Sequence, residues 1–199
     1  MNETQQEGTK RPLGSFRPKL AFYHANARGT GGALQLELHP AHDDTDGSIM
    51  ATFATQLTIG DRLGAVPVYP RFDWEGAITV KLDFTDISKM LQVFRGECES
   101  INGEKGLYHR SPVGQTSIRL SHHVDPVPGY LLEIYRSSRT DKNADNRAWM
   151  FFKPAEALGI CEAITGALYL VAFGIPMLVP HNTAAYREQT KEMRNVAAA

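Results

Sequence analysis

The sequence predicts an α+β domain in which two antiparallel four-stranded sheets each run into a helix, an internally duplicated ββββα arrangement. Three observations predict it. Short runs alternate apolar and polar residues at the period of a half-buried strand. Apolar residues at helical spacing recur in two places, after Thr85 and after Pro154. The strand-like runs fall into two groups, one ahead of each helix, and strands that run together before a helix make segregated sheets rather than a parallel βαβ core.

Lys19 to His24 is a short leading strand. Leu34, Leu36 and Leu38 set against Gln35, Glu37 and His39 make the next, with one apolar face. Ser48 to Leu57 follows after a turn of glycine and acidic residues from Asp43 to Gly47. Past a loop punctuated by Pro67 and Pro70, Ile78, Val80, Leu82 and Phe84 alternate with Thr79, Lys81 and Asp83. The first helix has Thr85 as its N-cap and Asp86 in the first turn, where the helix dipole favours negative charge. Its buried stripe is Ile87, Met90, Leu91 and Phe94, and Gly96 stops it.

The pattern then restarts. Gly106 to Arg110, Thr116 to His123, Tyr130 to Arg136 and Ala148 to Phe152 read as strands, separated by turns at Pro126 to Gly129 and Thr140 to Asn146. The second helix opens on Pro154 at its first position with Glu156 close behind. Leu158, Ile160, Cys161, Ala163, Ile164, Ala167, Leu168, Leu170 and Val171 make it apolar around much of its circumference. One domain cannot bury all of that surface, so self-association is expected.

Composition bounds the class. The 199 residues fit one domain, and 42% hydrophobic with 22% charged residues is a globular balance. Residues 1–18 read as a flexible basic leader, 19–176 as the folded domain and 177–199 as a tail. Met1 to Ser15 has neither the apolar core of a signal peptide nor the acid-poor character of a transit peptide. Ile164 to Val179 is interrupted by Thr165, Gly166, Gly174 and Pro176, short of the roughly 18 unbroken apolar residues of a spanning helix. A cytoplasmic location without a membrane partner is the expectation. Cys98 and Cys161 lie in helix-like surroundings without C-x-x-C spacing, which argues against a disulfide scaffold or a structural zinc.

Two motifs invite catalytic readings. His39-Pro40-Ala41-His42-Asp43-Asp44 and His122-His123-Val124-Asp125 carry metal-capable side chains, so a metal-dependent hydrolase using His39, His42 and Asp43 is an alternative. The two histidines flank a proline at a strand exit, unlike the helical H-E-x-x-H pattern, and no motif supplies a third ligand. Arg28-Gly29-Thr30-Gly31-Gly32 resembles a phosphate-cradling loop but leads into a strand and lacks the Gly-Lys-Ser/Thr ending, which excludes a nucleotide P-loop. It reads instead as a glycine-rich approach where another molecule's backbone can come close. No enzyme activity, cofactor or metal is expected.

Charge placement says more than the net charge of −1, made of 21 Lys and Arg against 22 Asp and Glu. Gly8 to Gln35 has no acidic residue but holds Lys10, Arg11, Arg17, Lys19 and Arg28. Lys105 to Val124 has none either, with Arg110, Arg119 and three histidines. On one sheet surface these stretches make a stripe that can track phosphates. Phe22, Tyr23, Phe72, Trp74, Tyr108, Tyr135 and Trp149 interleave with it, and bases stack on such rings without sequence preference. Nothing resembles a major-groove recognition helix, so single strands are favoured over duplex.

Lys81 and Arg119 alternate with the apolar residues of their strands and therefore face away from the core. Arg28 lies in the glycine segment, and Tyr23 and Tyr135 adjoin polar or basic neighbours that keep their hydroxyls wet. With His24 and Thr30 from the glycine segment and Tyr108 and Arg110 from the second acid-poor stretch, these are the expected nucleic-acid contacts.

Tyr23-His24 followed by Arg28-Gly29-Thr30-Gly31-Gly32-Ala33-Leu34, then Phe72-Asp73-Trp74, the run Ile78 to Phe84 and Asp86-Ile87 occur in a telling order. Glu97-Cys98-Glu99, Leu107-Tyr108-His109 and Phe152-Lys153-Pro154-Ala155-Glu156 complete it. This order resembles the Whirly family of single-stranded DNA-binding proteins over residues 19–175, with Arg28 and Thr30 standing where the family's Lys-Gly-Lys-Ala-Ala-Leu motif has lysines. The resemblance implies two sheets packed like blades, helices that hold a tetramer, and sequence-tolerant binding of single-stranded DNA in replication, recombination, repair or transcription. The lack of an organelle-type leader in Met1 to Ser15 suggests a bacterial or viral member associated with the nucleoid. RNA binding, as in trypanosome mitochondrial guide-RNA annealing proteins of the same fold group, is the second reading. A structural assembly protein without a nucleic-acid ligand is another.

Overall fold

Alternation of side chains governs both sheets. In β5 (Ile78–Leu82), Ile78, Val80 and Leu82 are buried while Thr79 and Lys81 are exposed, the burial period of a one-sided strand. The same rule orders β1 (Lys19–His24), β2 (Gly32–His39) and β3 (Ser48–Thr58), which pair antiparallel in that sequence. β5 pairs with the first half of β3 through Ile49 to Phe53. A two-residue strand, β4 (Arg71–Phe72), takes the second half, opposite Gln56 and Thr58 across a register shift. The first sheet therefore has five strands where the sequence predicts four. A strand of two residues is too short to show alternation.

The second sheet is the meander β6 (Leu107–Ser111), β7 (Gly114–His123), β8 (Gly129–Ser138) and β9 (Asn146–Phe152), each antiparallel to the next. The computed structural model describes residues 19–41, 45–61, 66–103, 105–111, 114–138 and 146–174. The leader at 1–18, the tail at 177–199, the acidic stretch 141–145 and the metal-capable His42 and Asp43 lie outside the described residues.

Helix α1 (Phe84–Phe94) starts earlier than its sequence signal. Asp83, not Thr85, is the N-cap: its Oδ1 accepts from the Asp86 backbone N–H at 2.8 Å, and Asp86 Oδ2 accepts from the Asp83 N–H at 3.3 Å. This reciprocal box satisfies two amide groups that a helix start otherwise leaves unpaired. At the other end Gly96, at φ 72°, lets the Gly96 and Glu97 N–H groups reach back to Val93 and Gln92. Cys98 consequently sits exposed in the loop after α1 rather than in a helix.

Helix α2 (Pro154–Phe173) buries Ala157, Ile160, Cys161, Ile164 and Val171. Thr165 and Gly166 do not interrupt it, and Gly174 caps its C-terminal end. Against the sequence expectation, it is long and apolar enough to cross a membrane by length and composition. Its buried face nevertheless belongs to the protein core, and Arg95 beyond the end of α1 donates to Thr165 Oγ1 at 3.2 Å. Its C-terminus is clasped by the segment after β2. The Ala41 N–H donates to Leu170 O, and a Cβ on Gly174 would lie 2.0 Å from Ala41 O, so no larger residue fits there.

The inner faces of both sheets and the two helices share one core, from Leu34 and Phe53 through Ile118 and Ile134. Phe152, fully buried at 0% exposure, stands at its centre of chain connections, at the end of β9 with Phe22 and His24 of β1 each 5.5 Å from its ring. Tyr130 closes one side, donating its hydroxyl to Phe94 O at 3.2 Å.

Candidate nucleic-acid interface

Residues directly opposite one another on antiparallel strands share a face. The register of the second sheet places Tyr108 opposite Ser117, Ser117 opposite Tyr135, and Tyr135 opposite Arg147. The neighbouring rung on the same face is Arg119, Glu133 and Trp149, and the one on the other side is Arg110, Gln115 and Ser137. All point away from the buried set Leu107, Ile118, Leu120, Ile134 and Met150. Tyr108, Tyr135 and Trp149 are 55%, 40% and 42% exposed, far more than rings that belong to a core.

Three arginines therefore share an open face with three aromatic rings and one carboxylate. Glu133 accepts from the Arg147 guanidinium. Two shallow depressions adjoin there: one of about 270 Å³ over Ser117, Tyr135 and Arg147, the other of about 340 Å³ toward Ser121 and His123. Arg119 and Glu133 line both, so the depressions run on from each other along the sheet. An extended polymer with flat bases and anionic links suits such a track: rings offer stacking and arginines offer phosphate contacts.

The remaining expected contacts lie elsewhere. Tyr23 and Lys81 are exposed on the outer face of the first sheet, Tyr23 sharing its rung with Ala33 and Lys81 with Met50. Tyr23 has aromatic company, with Phe72 at 5.6 Å and Trp74 at 6.3 Å between ring centroids. Trp74 is exposed, so it is not the core residue that its size favours. His24 faces the opposite way, as the residue after Tyr23 in a strand must. Its Nε2 lies 2.8 Å from Glu156 Oε1, which joins β1 to the first turn of α2 and takes His24 off the outer face.

Arg28 and Thr30 belong to the β1–β2 hairpin, whose shape is set by Asn26 and Gln56. Asn26 Oδ1 accepts from the Arg28 and Thr30 N–H groups, and Asn26 Nδ2 donates to Thr30 Oγ1. The buried Gln56 amide makes four bonds: its Oε1 accepts from the Asn26 and Gly31 N–H groups, and its Nε2 donates to Asn26 O and Thr58 O. The glycines serve the chain's own packing. A Cβ on Gly31 would lie 2.1 Å from His24 O, and one on Gly32 would lie 2.7 Å from Trp149 O. The close backbone approach at Gly31 and Gly32 is thus made by the chain's own residues.

Tyr108, Arg110, Arg119 and Tyr135 are brought together, and Arg147 and Trp149 join them. The sequence pattern starts the last strand at Ala148, so it leaves out Arg147, which lies inside β9. Stepping back two residues from Trp149 along the alternation finds it. Glu133 and Gln56 carry no sequence signal of their own.

The histidine motifs are occupied differently. His122 stacks on Tyr130 at 4.7 Å, whereas its neighbour His123 shares a 3.0 Å hydrogen bond with Ser121, so the pair points to opposite faces and cannot chelate as a unit. His39 Nε2 lies 3.0 Å from Glu37 Oε1, and Lys19 Nζ lies 2.8 Å from Glu37 Oε2. Burial raises the Glu37 carboxyl, but Lys19 and His39 outweigh it and hold the group below its ordinary range. At the α1 cap the reverse holds: burial raises Asp86 above the ordinary range despite the Asp83 N–H and His109, whose Nε2 lies 3.1 Å away. Among the described residues, no three His, Cys, Asp or Glu side chains are grouped to hold a metal ion.

No protein-family model and no curated protein sequence matches the chain. Solved structures do. WHY1 from Arabidopsis thaliana superposes with a TM-score of 0.61 at 13% identity, covering 89% of this chain and 94% of its own. The trypanosome MRP1/MRP2 structure superposes with a TM-score of 0.52 at 16% identity, covering 78% and 86%. Two antiparallel sheets with two helices, matched over nearly the whole of WHY1, give this chain a Whirly-like fold.

Proposed function

We propose that this protein binds single-stranded nucleic acid, with DNA as the primary ligand, through the outer face of its second sheet. The observation that carries this reading is the pair of adjoining rungs Tyr108–Ser117–Tyr135–Arg147 and Arg119–Glu133–Trp149, which set exposed rings beside arginines. The Whirly-like fold supports nucleic-acid binding in general. No step of catalysis is needed for this role, which serves replication, recombination, repair or transcription by holding unpaired strands.

Purified protein titrated against labelled oligo-dT, oligo-U and duplex DNA by fluorescence anisotropy tests it. Oligo-dT is expected to bind tightest and duplex weakest, since stacking needs unpaired bases. Affinity for oligo-dT falls with salt at a log–log slope near −0.7 for each phosphate contact. Equal affinity for duplex and single strand, or no salt dependence, contradicts the reading. Tighter binding of oligo-U than oligo-dT makes RNA the ligand.

The working unit is a homo-oligomer, with a tetramer as its form, assembled through α2. Leu158, Tyr169 and Phe173 project from that helix well exposed, the last two as a ring pair 5.2 Å apart. Such a surface is costly to leave wet. Leu168 already packs against the core, so it is not the residue with which to test assembly. Tyr169→Glu with Leu158→Glu is expected to shift sedimentation from oligomer to monomer with the far-UV circular dichroism retained. An unchanged sedimentation coefficient contradicts assembly through this face.

A further inference from the structure

Glu133 is an anomaly on a face that attracts phosphates. Its partner Arg147 is 65% exposed, and an ion pair so wet contributes little to stability. A carboxylate there also repels every phosphate that approaches. Yet Glu133 is itself only 22% exposed, sits in the centre of the face and lines both depressions. Its position is useful if a base, rather than a phosphate, comes down onto it.

We infer that Glu133 and Arg119 read guanine among the bases stacked on Tyr135 and Trp149, an inference that rests on the proposed single-strand binding. The two residues are directly opposite one another in the β7–β8 register, so an acceptor-only group stands beside a donor-only group. Guanine presents the complementary edge: O6 accepts, and N1–H and the 2-amino group donate side by side. Arg119 donates to O6, and the Glu133 carboxylate accepts from N1–H and the amine. Thymine and uracil fail this match because their single N–H is flanked by two carbonyl oxygens, which meet the second carboxylate oxygen lone pair to lone pair. Cytosine and adenine offer one amine next to a ring acceptor and fill only one of the carboxylate oxygens. The depression at Glu133, about 270 Å³, lies just below the roughly 300–1,000 Å³ that hold drug-sized ligands, a scale suited to one base.

The experiment compares three oligomers of equal length by anisotropy: oligo-dT carrying isolated guanines, the same oligomer with hypoxanthine at those places, and unsubstituted oligo-dT. Hypoxanthine keeps the ring system, O6 and N1–H and lacks only the amine. The guanine oligomer is expected to bind at least about fivefold tighter than the hypoxanthine one. In E133Q and E133A that ratio falls to near one, while unsubstituted oligo-dT binds more tightly because a negative charge has left the face. Equal affinity of the native protein for the guanine and hypoxanthine oligomers overturns the inference, as does a ratio retained in both variants. Failure of all three oligomers to bind the native protein overturns the single-strand reading itself, an outcome distinct from equal binding of all three.

Discussion

Replacing Tyr135 and Trp149 together with alanine is expected to weaken oligo-dT binding by roughly 2–6 kcal/mol, about 1–3 kcal/mol for each stacked base that is lost. The two rings lie on adjacent rungs of one face, Tyr135 on β8 and Trp149 on β9, and both stand well clear of the core. Folding stability is therefore expected to change little, so the loss reads directly as a loss of binding. The single variants separate the rings, and because they are neighbours their effects need not add. Wild-type affinity in the double variant, measured by anisotropy on protein with an unchanged melting temperature, moves the interface to Tyr23, Phe72 and Trp74 on the first sheet, where another aromatic group is exposed.

The largest effect on stability is expected from Phe152→Ala, at about 3–5 kcal/mol. Phe152 ends β9, immediately ahead of the α2 cap at Lys153, and its ring is enclosed by Phe22 and His24 of β1. Removing it opens a cavity where the two sheets and α2 converge, and the β-meander on one side and the helix on the other limit any collapse into it. Urea denaturation followed by tryptophan fluorescence measures the loss. A loss below about 1 kcal/mol indicates that the neighbouring side chains refill the space.

Much of the architecture is legible because each strand with a single buried face spells its own alternation. β5 and β7 are clear cases, since Thr79, Lys81 and Arg119 each stand between two buried apolar residues. β4 is not legible, for its two residues are held by β3 and not by any pattern of their own. The α1 boundary lies at Asp83 because a capping box depends on where two carboxylates fold back, while Thr85 is also of a type that caps helices.

The site was legible residue by residue but not as a group. Period-two reasoning sends Arg119 and Tyr135 outward, yet only the register between strands puts Tyr108, Tyr135 and Arg147 on one rung. His24 shows the limit of a motif: it sits beside Tyr23 in sequence, and that adjacency is why it faces the other side and meets Glu156. The glycines at 31 and 32 look like a ligand cradle in sequence because close backbone approach has the same signature whether the approaching backbone is foreign or the chain's own.

The central claim, that the outer face of the second sheet holds the unpaired strand, is tested most directly by photocrosslinking. Oligo-dT with 5-bromouracil in place of thymine is irradiated on the full-length protein, and the linked peptides are sequenced by mass spectrometry. Crosslinks are predicted at Tyr108, Tyr135 and Trp149, suppressed by excess unlabelled oligo-dT and by high salt. Crosslinks confined to α2 or to the exposed Val68-Tyr69 segment, with none on β6, β8 or β9, would contradict it.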